Sequence, residues 1–148
     1  MTTKEYLGQV SVLERRIRAK KDEIERFHEL TCSPSIKMDG EKVCSSGSND
    51  PMADAVVKII EMEKELHDML TKYLEIRKII SNKVVSMTTP LYSDILYDKY
   101  IVGIPFGKME GIIGYSKRQI IHYHGFALLE FEQLYKEQYK DYISPLQS

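Results

Sequence analysis

The sequence predicts an all-α protein in which an N-terminal antiparallel, coiled-coil-like helical hairpin precedes a C-terminal helix-turn-helix domain. Three observations predict this fold class. Apolar residues recur at spacings of three and four along two long segments, a polar stretch separates these segments, and the C-terminal third contains shorter helical segments divided by Gly and Pro. We expect the hairpin to cover residues 1–88 and the helix-turn-helix domain to cover residues 89–148.

The composition is that of a folded protein with one domain, or one small domain and an extension. The 148 residues are 43% hydrophobic and 29% charged, which argues against disorder throughout. The formal net charge is −1. Binding to a polyanion such as nucleic acid must therefore depend on local charge.

The first predicted helix runs from about Thr3 to Leu30. Its opposite face is heavily charged, and the run Arg15–Lys21 is typical of a solvated helix face, with contact to nucleic acid as the alternative. The apolar residues lie at helical, nearly heptad spacing: Tyr6, Val10, Leu13, Ile17, Ile24 and Phe27.

A polar loop is predicted at about residues 31–51, where Ser, Gly, Pro, Asn and Asp dominate. At about 20 residues this loop is long for a compact domain, so we expect it to be flexible. It contains Cys32 and Cys44, for which two free thiols are favoured and a disulfide is the alternative. Neither Cys has a His at the spacing of zinc ligands.

The second predicted helix runs from Met52 to about Met87, with Asp50 as a candidate N-cap and Pro51 as the first helical residue. It contains no Pro or Gly, and about 35 residues correspond to a length of about 50 Å. Its apolar stripe needs a partner. The first helix, packed antiparallel, is one such partner, and self-association is the other.

Three shorter helices are predicted after Thr88-Thr89-Pro90, because the residue before a proline disfavours the helical conformation. Gly103 and Pro105 separate the first helix from the second, and Gly114 ends the second. Ser116 is a favourable N-cap for the third. The predicted ranges are Leu91–Ile101, Phe106–Ile113 and Lys117–Tyr139.

The last two helices have the order that a helix-turn-helix requires, which is a short positioning helix, a tight turn with Gly, and a capped second helix. Spacings of three, four and four predict the inward stripe of the last helix: Ile120, Tyr123, Ala127 and Phe131. The outward residues near its N-terminus are the candidate DNA-binding residues: Ser116, Lys117, Arg118, Gln119, Ile121 and His122.

These residue types suit the major groove of double-stranded DNA. Lys and Arg donate hydrogen bonds to guanine, Gln pairs with adenine, and an aliphatic side chain contacts a thymine methyl group. The capped N-terminus of a helix also favours a phosphate. No carboxylate occurs from Gly111 to Leu129, so we expect DNA to bind here, weakly and with strong salt dependence when the protein acts alone.

The segment LYDKYIVGIPFGKMEGIIGYSKRQIIHYHGFALLEF resembles region four of bacterial sigma factors, with Tyr100-Ile101, Tyr115-Ser116 and Ala127-Leu128 at matching places. Within it, YSKRQIIHYHGFALLEF is similar to small phage proteins of the late-operon transcription regulator family, which also have a charged helical hairpin with a variable polar loop. The chain departs from that family at Gly107 and Gly111, where better helix formers are usual. The resemblance implies a phage-type transcription regulator that acts on late gene expression through promoter DNA and bacterial RNA polymerase.

Two other functions stay open. The first is a protein-binding adaptor that uses the helical hairpin, and the near-neutral net charge supports it. The second is a DNA-recognition protein similar to small terminase subunits, for which assembly into large rings is expected. A homodimer is a further candidate assembly, because the long apolar stripe of the second helix needs a partner.

The sequence contains no P-loop, HExxH or GxSxG motif, so we expect no enzymatic activity, no catalytic residue and no cofactor. His122 and His124 are two positions apart and point to different faces of a helix, so they predict no metal site. The N-terminus has no apolar signal segment, and no apolar run approaches the ~20 residues of a membrane span. We therefore expect a cytoplasmic protein that does not contact a membrane.

Overall fold

The computed structural model describes residues 1–32 and 51–142, and these residues form helices and short connections without a strand. The prediction of an all-α protein is confirmed for them. The central part of the predicted polar loop, including Cys44 and Asp50, lies outside the described residues. The five α-helices are α1 (Thr3–Cys32), α2 (Pro51–Val85), α3 (Pro90–Leu96), α4 (Phe106–Ile113) and α5 (Lys117–Tyr139).

Local sequence signals account for several helix ends. α2 begins at Pro51, whose fixed φ and missing N–H suit the first position of a helix. α3 begins at Pro90 for the same reason. The observed ranges of α4 and α5 are those predicted from the sequence.

The chain divides into two compact units, and α1 and α2 contribute residues to both. One unit contains Arg15–Thr71, and the other contains Met1–Glu14 with Lys72–Ser148. In the first unit, Nζ of Lys20 lies 2.6 Å from a carboxylate oxygen of Glu65, and Nζ of Lys58 lies 5.3 Å from the centroid of the Phe27 ring. The buried apolar residues in the described part of this unit are Ile17, Ile24 and Met62.

The second unit contains the larger hydrophobic core. It combines residues from the first turns of α1, the last turns of α2, the segment that follows α2, and α5. Tyr6 stacks on Tyr139 with 4.6 Å between the ring centroids, and the Tyr139 hydroxyl lies 2.8 Å from the hydroxyl of Thr3. The buried members are Tyr6, Leu7, Val10, Leu13, Ile76, Ile80, Val84, Met87, Leu96, Ile101, Ala127, Phe131 and Tyr139.

The helix predicted over about Leu91–Ile101 is present as a helical segment from Pro90 to Val102, but its second half is not α-helical. α3 ends at Leu96 and a π-helical turn follows over Tyr97–Val102. The π turn ends at Gly103, which has φ +87°. The N–H of Gly103 donates a hydrogen bond to the carbonyl oxygen of Asp98, five residues earlier, and this bond closes the wide hydrogen-bonded ring of the π turn. Residues five positions apart lie about 140° apart around an α-helix, but the wider π turn brings them to one side. Leu96 and Ile101 thereby both enter the larger core.

Candidate nucleic-acid interface

A second, smaller core lies between α3 and the two helices of the predicted helix-turn-helix, α4 and α5. One residue from each of α3, α4 and α5 is fully buried in it, namely Ile95, Met109 and Ile120. Half-buried apolar side chains pack around these three: Leu91, Ile104, Phe106, Ile113 and Tyr123. This core therefore fixes the first turns of α5 against α3 and α4.

The connection between α4 and α5 consists of Gly114, Tyr115 and Ser116. Gly114 has φ +84°, a conformation that costs a residue with a Cβ atom about 1–2 kcal/mol, and its N–H donates to the carbonyl of Glu110. The Tyr115 ring packs edge-on against Tyr123, with 5.3 Å between the centroids. The prediction that Gly114 ends the helix is therefore confirmed.

The start of α5 is a capping box made by two of the candidate residues. The Ser116 hydroxyl oxygen accepts a hydrogen bond from the Gln119 backbone N–H at 3.3 Å. In return, the side-chain oxygen of Gln119 accepts from the Ser116 N–H at 3.1 Å. The backbone N–H groups of Lys117 and Arg118 belong to the first helical turn, which has no intrahelical acceptor for them. They are consequently available to an anion at the helix N-terminus.

All six candidate residues are exposed, and an open groove on α5 is lined by four of them together with Tyr123. Within the described residues, neither Lys117 nor Arg118 forms an ion pair. By contrast, Lys136 in the last turn of α5 lies 2.8 Å from Glu132. The positive charge of α5 is thus uncompensated at its N-terminus and paired at its C-terminus.

The first half of α5 carries no acidic residue of its own. The sequence has no carboxylate between Glu110 in α4 and Glu130 in α5. Glu130 accepts a hydrogen bond from the Thr89 hydroxyl at 2.6 Å, which directs its carboxylate toward the start of α3. The exposed face of the first half of α5 therefore presents cations without a neighbouring acid on the same helix.

His122 and His124 lie on different faces of α5. His122 is exposed and His124 is buried. Nε2 of His124 and the hydroxyl of Tyr100 lie 3.0 Å apart in a hydrogen bond, and Phe106 packs edge-on against the imidazole. Burial, together with a smaller contribution from the positive charges of Lys4 and Lys99, lowers the pKa of His124 to about 4. His124 is therefore a neutral core residue at neutral pH and does not contribute charge to the exposed face.

Two apolar residues on the exposed face escaped the sequence analysis. Phe126 is 44% exposed and Leu129 is 54% exposed. The His122 ring packs edge-to-face against Phe126, with 4.8 Å between the ring centroids. The sequence signal was available, because Phe126 follows His122 by four positions and so lies on the same face of the helix. The surface is thus partly apolar as well as basic.

No group of three or more His, Cys, Asp or Glu side chains is arranged so that it could hold a metal ion in residues 1–32 and 51–142. None of the helices described there is long and apolar enough to cross a membrane.

Comparison with known proteins adds no relative. No protein-family model, no curated protein and no solved structure matches this chain. The resemblance to sigma-factor region four and to phage late-operon regulators consequently depends on the sequence motifs alone.

Proposed function

We propose that this chain is a DNA-binding, phage-type transcription regulator whose C-terminal domain is a helix-turn-helix similar to sigma-factor region four. One observation carries the proposal. The first half of α5 contains no carboxylate, and its exposed face presents Lys117 and Arg118 without an ionic partner among the described residues. A helix that is capped, basic and exposed in this way suits insertion into the major groove.

In this proposal α4 is the positioning helix and α5 is the recognition helix. The left-handed Gly114 and the buried trio Ile95, Met109 and Ile120 support this arrangement, because they join α4 to α5 through a tight turn over a shared core. The proposal also takes residues 1–88 as an antiparallel helical hairpin and residues 89–148 as the DNA-binding domain.

The six candidate residues take different parts in DNA binding. Arg118 donates hydrogen bonds to a guanine edge, and Ile121 contacts a thymine methyl group. Lys117 and the backbone N–H groups of the first turn bind phosphate. Ser116 and Gln119 hold the helix N-terminus in place through the capping box, and His122 contributes a further polar contact beside Phe126.

The proposed partners are double-stranded DNA and, by the sigma-like resemblance, bacterial RNA polymerase at late promoters. The protein acts in the cytoplasm, as a regulator rather than as an enzyme, and uses no cofactor. Its DNA affinity alone is modest, since few cations face the duplex, and contact with polymerase supplies the remaining binding energy.

A binding experiment with matched charge variants tests the DNA contact. Fluorescence anisotropy of a labelled duplex, chosen by selection from random sequence, is measured for wild type, Lys117→Ala, Arg118→Ala and the control Lys140→Ala. Each variant removes one positive charge, but Lys140 lies just after α5 and pairs with Glu137 at 3.2 Å. We expect about tenfold weaker binding for both site variants, corresponding to about 1.4 kcal/mol, and less than about twofold for Lys140→Ala. Equal affinity of all four proteins would remove these residues from the interface.

A protein-binding adaptor is the second candidate, and the exposed Phe126 and Leu129 favour it. Apolar side chains on a basic helix suit an amphipathic protein surface as well as DNA. The two functions differ in one measurement, because an adaptor binds polymerase or another protein in a pull-down while selection from random DNA enriches no sequence.

A further inference from the structure

Two edge-to-face aromatic pairs lie near the N-terminus of α5. The ring centroids of Tyr115 and Tyr123 are 5.3 Å apart, and those of His122 and Phe126 are 4.8 Å apart. In such a pair the edge of one ring meets one face of the other, so the pair itself leaves most ring faces uncovered. Tyr115 and Phe126 are 37% and 44% exposed, and His122 is exposed as well. The first half of α5 therefore presents aromatic rings to solvent.

The exposed rings continue a row that begins with a cation. Arg118, His122 and Phe126 follow one another at intervals of four residues, which places them along one side of α5 at steps of about 6 Å. Neither Arg118 nor the preceding Lys117 forms an ion pair among the described residues. Residues 143–148 of the same compact unit carry no Asp or Glu, and they follow the opposite end of α5, about 30 Å of helix from Arg118.

We propose that His122 and Phe126 form a stacking platform for an unpaired base of single-stranded DNA, whose phosphates are bound by Lys117 and Arg118. Every base has a π face, so an exposed aromatic ring stacks on any base, and cations beside the ring bind the backbone. A paired base offers only its edge in a groove, since its faces are covered by neighbouring base pairs. The platform rests on the proposed function in that it places DNA on the same face of α5.

Charge complementarity favours a nucleic-acid strand over a protein surface as the occupant. The sequence has no carboxylate between Glu110 and Glu130, so an anionic strand meets no like charge on the first half of α5. The second half differs. Leu134 is also 44% exposed, but the open groove beside it is lined by Glu132 and Glu137. Exposed rings and the absence of acids therefore coincide only in the first half of this helix.

A tryptophan on the platform tests the stacking. The sequence contains no Trp, so Phe126→Trp carries a single fluorescent reporter. Leu134→Trp is the matched control, because Leu134 has the same exposure on the same helix. Emission is followed while an oligothymidylate of about 15 nucleotides, or an abasic strand of equal length, is added. We expect the oligothymidylate to quench Phe126→Trp alone. Equal quenching of the two variants, or equal quenching by the abasic strand, overturns the proposal.

Fluorescence anisotropy of the labelled oligothymidylate separates stacking from charge. Phe126→Leu keeps an apolar side chain but removes the ring, so we expect about tenfold weaker binding with an unchanged salt dependence. Lys117→Ala should instead reduce the slope of log affinity against log salt by about 0.7, because one phosphate contact is lost. Leu134→Ala is the control, with a change below about twofold. An unchanged affinity of Phe126→Leu, with helix content retained by circular dichroism, overturns the platform.

Binding of the selected duplex distinguishes the platform from the proposed function. A wild type that binds the duplex but binds no oligothymidylate at about 100 μM overturns the platform and leaves the regulator standing. A wild type that binds oligothymidylate through Phe126, while selection enriches no duplex, supports the platform and removes sequence-specific binding of duplex DNA. Tighter binding of an RNA strand of the same length, by more than about tenfold, overturns the assignment to DNA.

Discussion

Acidification is expected to destabilise this protein through one buried histidine. His124 is 8% exposed, forms a hydrogen bond with the Tyr100 hydroxyl and lies against the ring of Phe106. Burial in this apolar environment lowers its pKa from the ordinary 6.5 to about 4. The folded state therefore keeps the imidazole neutral over a pH range in which the unfolded chain protonates it.

The size and sign of the effect follow from this difference in pKa. Between pH 6.5 and pH 4 the unfolded state binds a proton that the folded state does not, so the free energy of unfolding falls as the pH falls. Each pKa unit is worth about 1.4 kcal/mol. The loss from pH 7 to pH 5 is therefore about 2 kcal/mol, and it approaches about 3 kcal/mol near pH 4.

Urea denaturation followed by circular dichroism at pH 7 and pH 5 measures this loss. His124→Gln keeps a group that can hydrogen-bond to Tyr100 but does not titrate, so the wild type should lose about 2 kcal/mol more than this variant. His122→Gln is the control, because His122 is exposed and its replacement should leave the wild-type loss unchanged. Equal losses for wild type and His124→Gln, or an imidazole pKa near 6.5 by NMR, would refute the reasoning.

Three further substitutions test the local structure of α4 and α5 through the free energy of unfolding. Gly111→Ala should stabilise the protein by about 0.5–1 kcal/mol, because a Cβ atom there meets nothing within 4 Å and Ala loses less entropy in a helix; a destabilised variant would mean that α4 is not regular there. Gly114→Ala should cost about 1–2 kcal/mol because of its positive φ, and a neutral effect would contradict the left-handed turn. Ser116→Ala should cost about 1 kcal/mol through loss of the capping box, whereas Ser116→Asp should retain most of that stability.

The sequence alone predicted those features that short-range signals determine. Gly114 and Ser116 set the end of α4 and the start of α5, and the spacing of Ile120, Ala127 and Phe131 identified the buried side of α5. Glycine conformation, capping and helical periodicity all act over a few residues, so they are visible in the sequence. The capping role of Gln119 was visible too, in the Ser-x-x-Gln pattern, although the residue type also suited a base contact.

Features that depend on residues distant in the sequence were not predictable in this way. The change from α to π geometry after Leu96 brings Ile101 into a core that α1 and α2 also build, and no local signal distinguishes the two helix types. The burial of His124 depends on Tyr100, which lies in that same π turn. Tertiary packing, rather than local preference, decided both outcomes.

The orientation of the proposed DNA-binding face depends on how α5 is held. Ile120 is buried in the smaller core, and Phe131 with Tyr139 is buried in the larger one, so both halves of the helix are packed on the same side. Rotation of α5 about its axis is then fixed, because turning Arg118 inward requires Phe131 to turn toward solvent. The proposed contacts with DNA and the observed contacts with the core consequently occupy opposite faces of one helix. A substitution of Arg118 that lowers DNA affinity without changing the free energy of unfolding therefore reports a lost contact with DNA. A substitution of Phe131 that lowers DNA affinity also lowers the free energy of unfolding, and so reports damage to the fold.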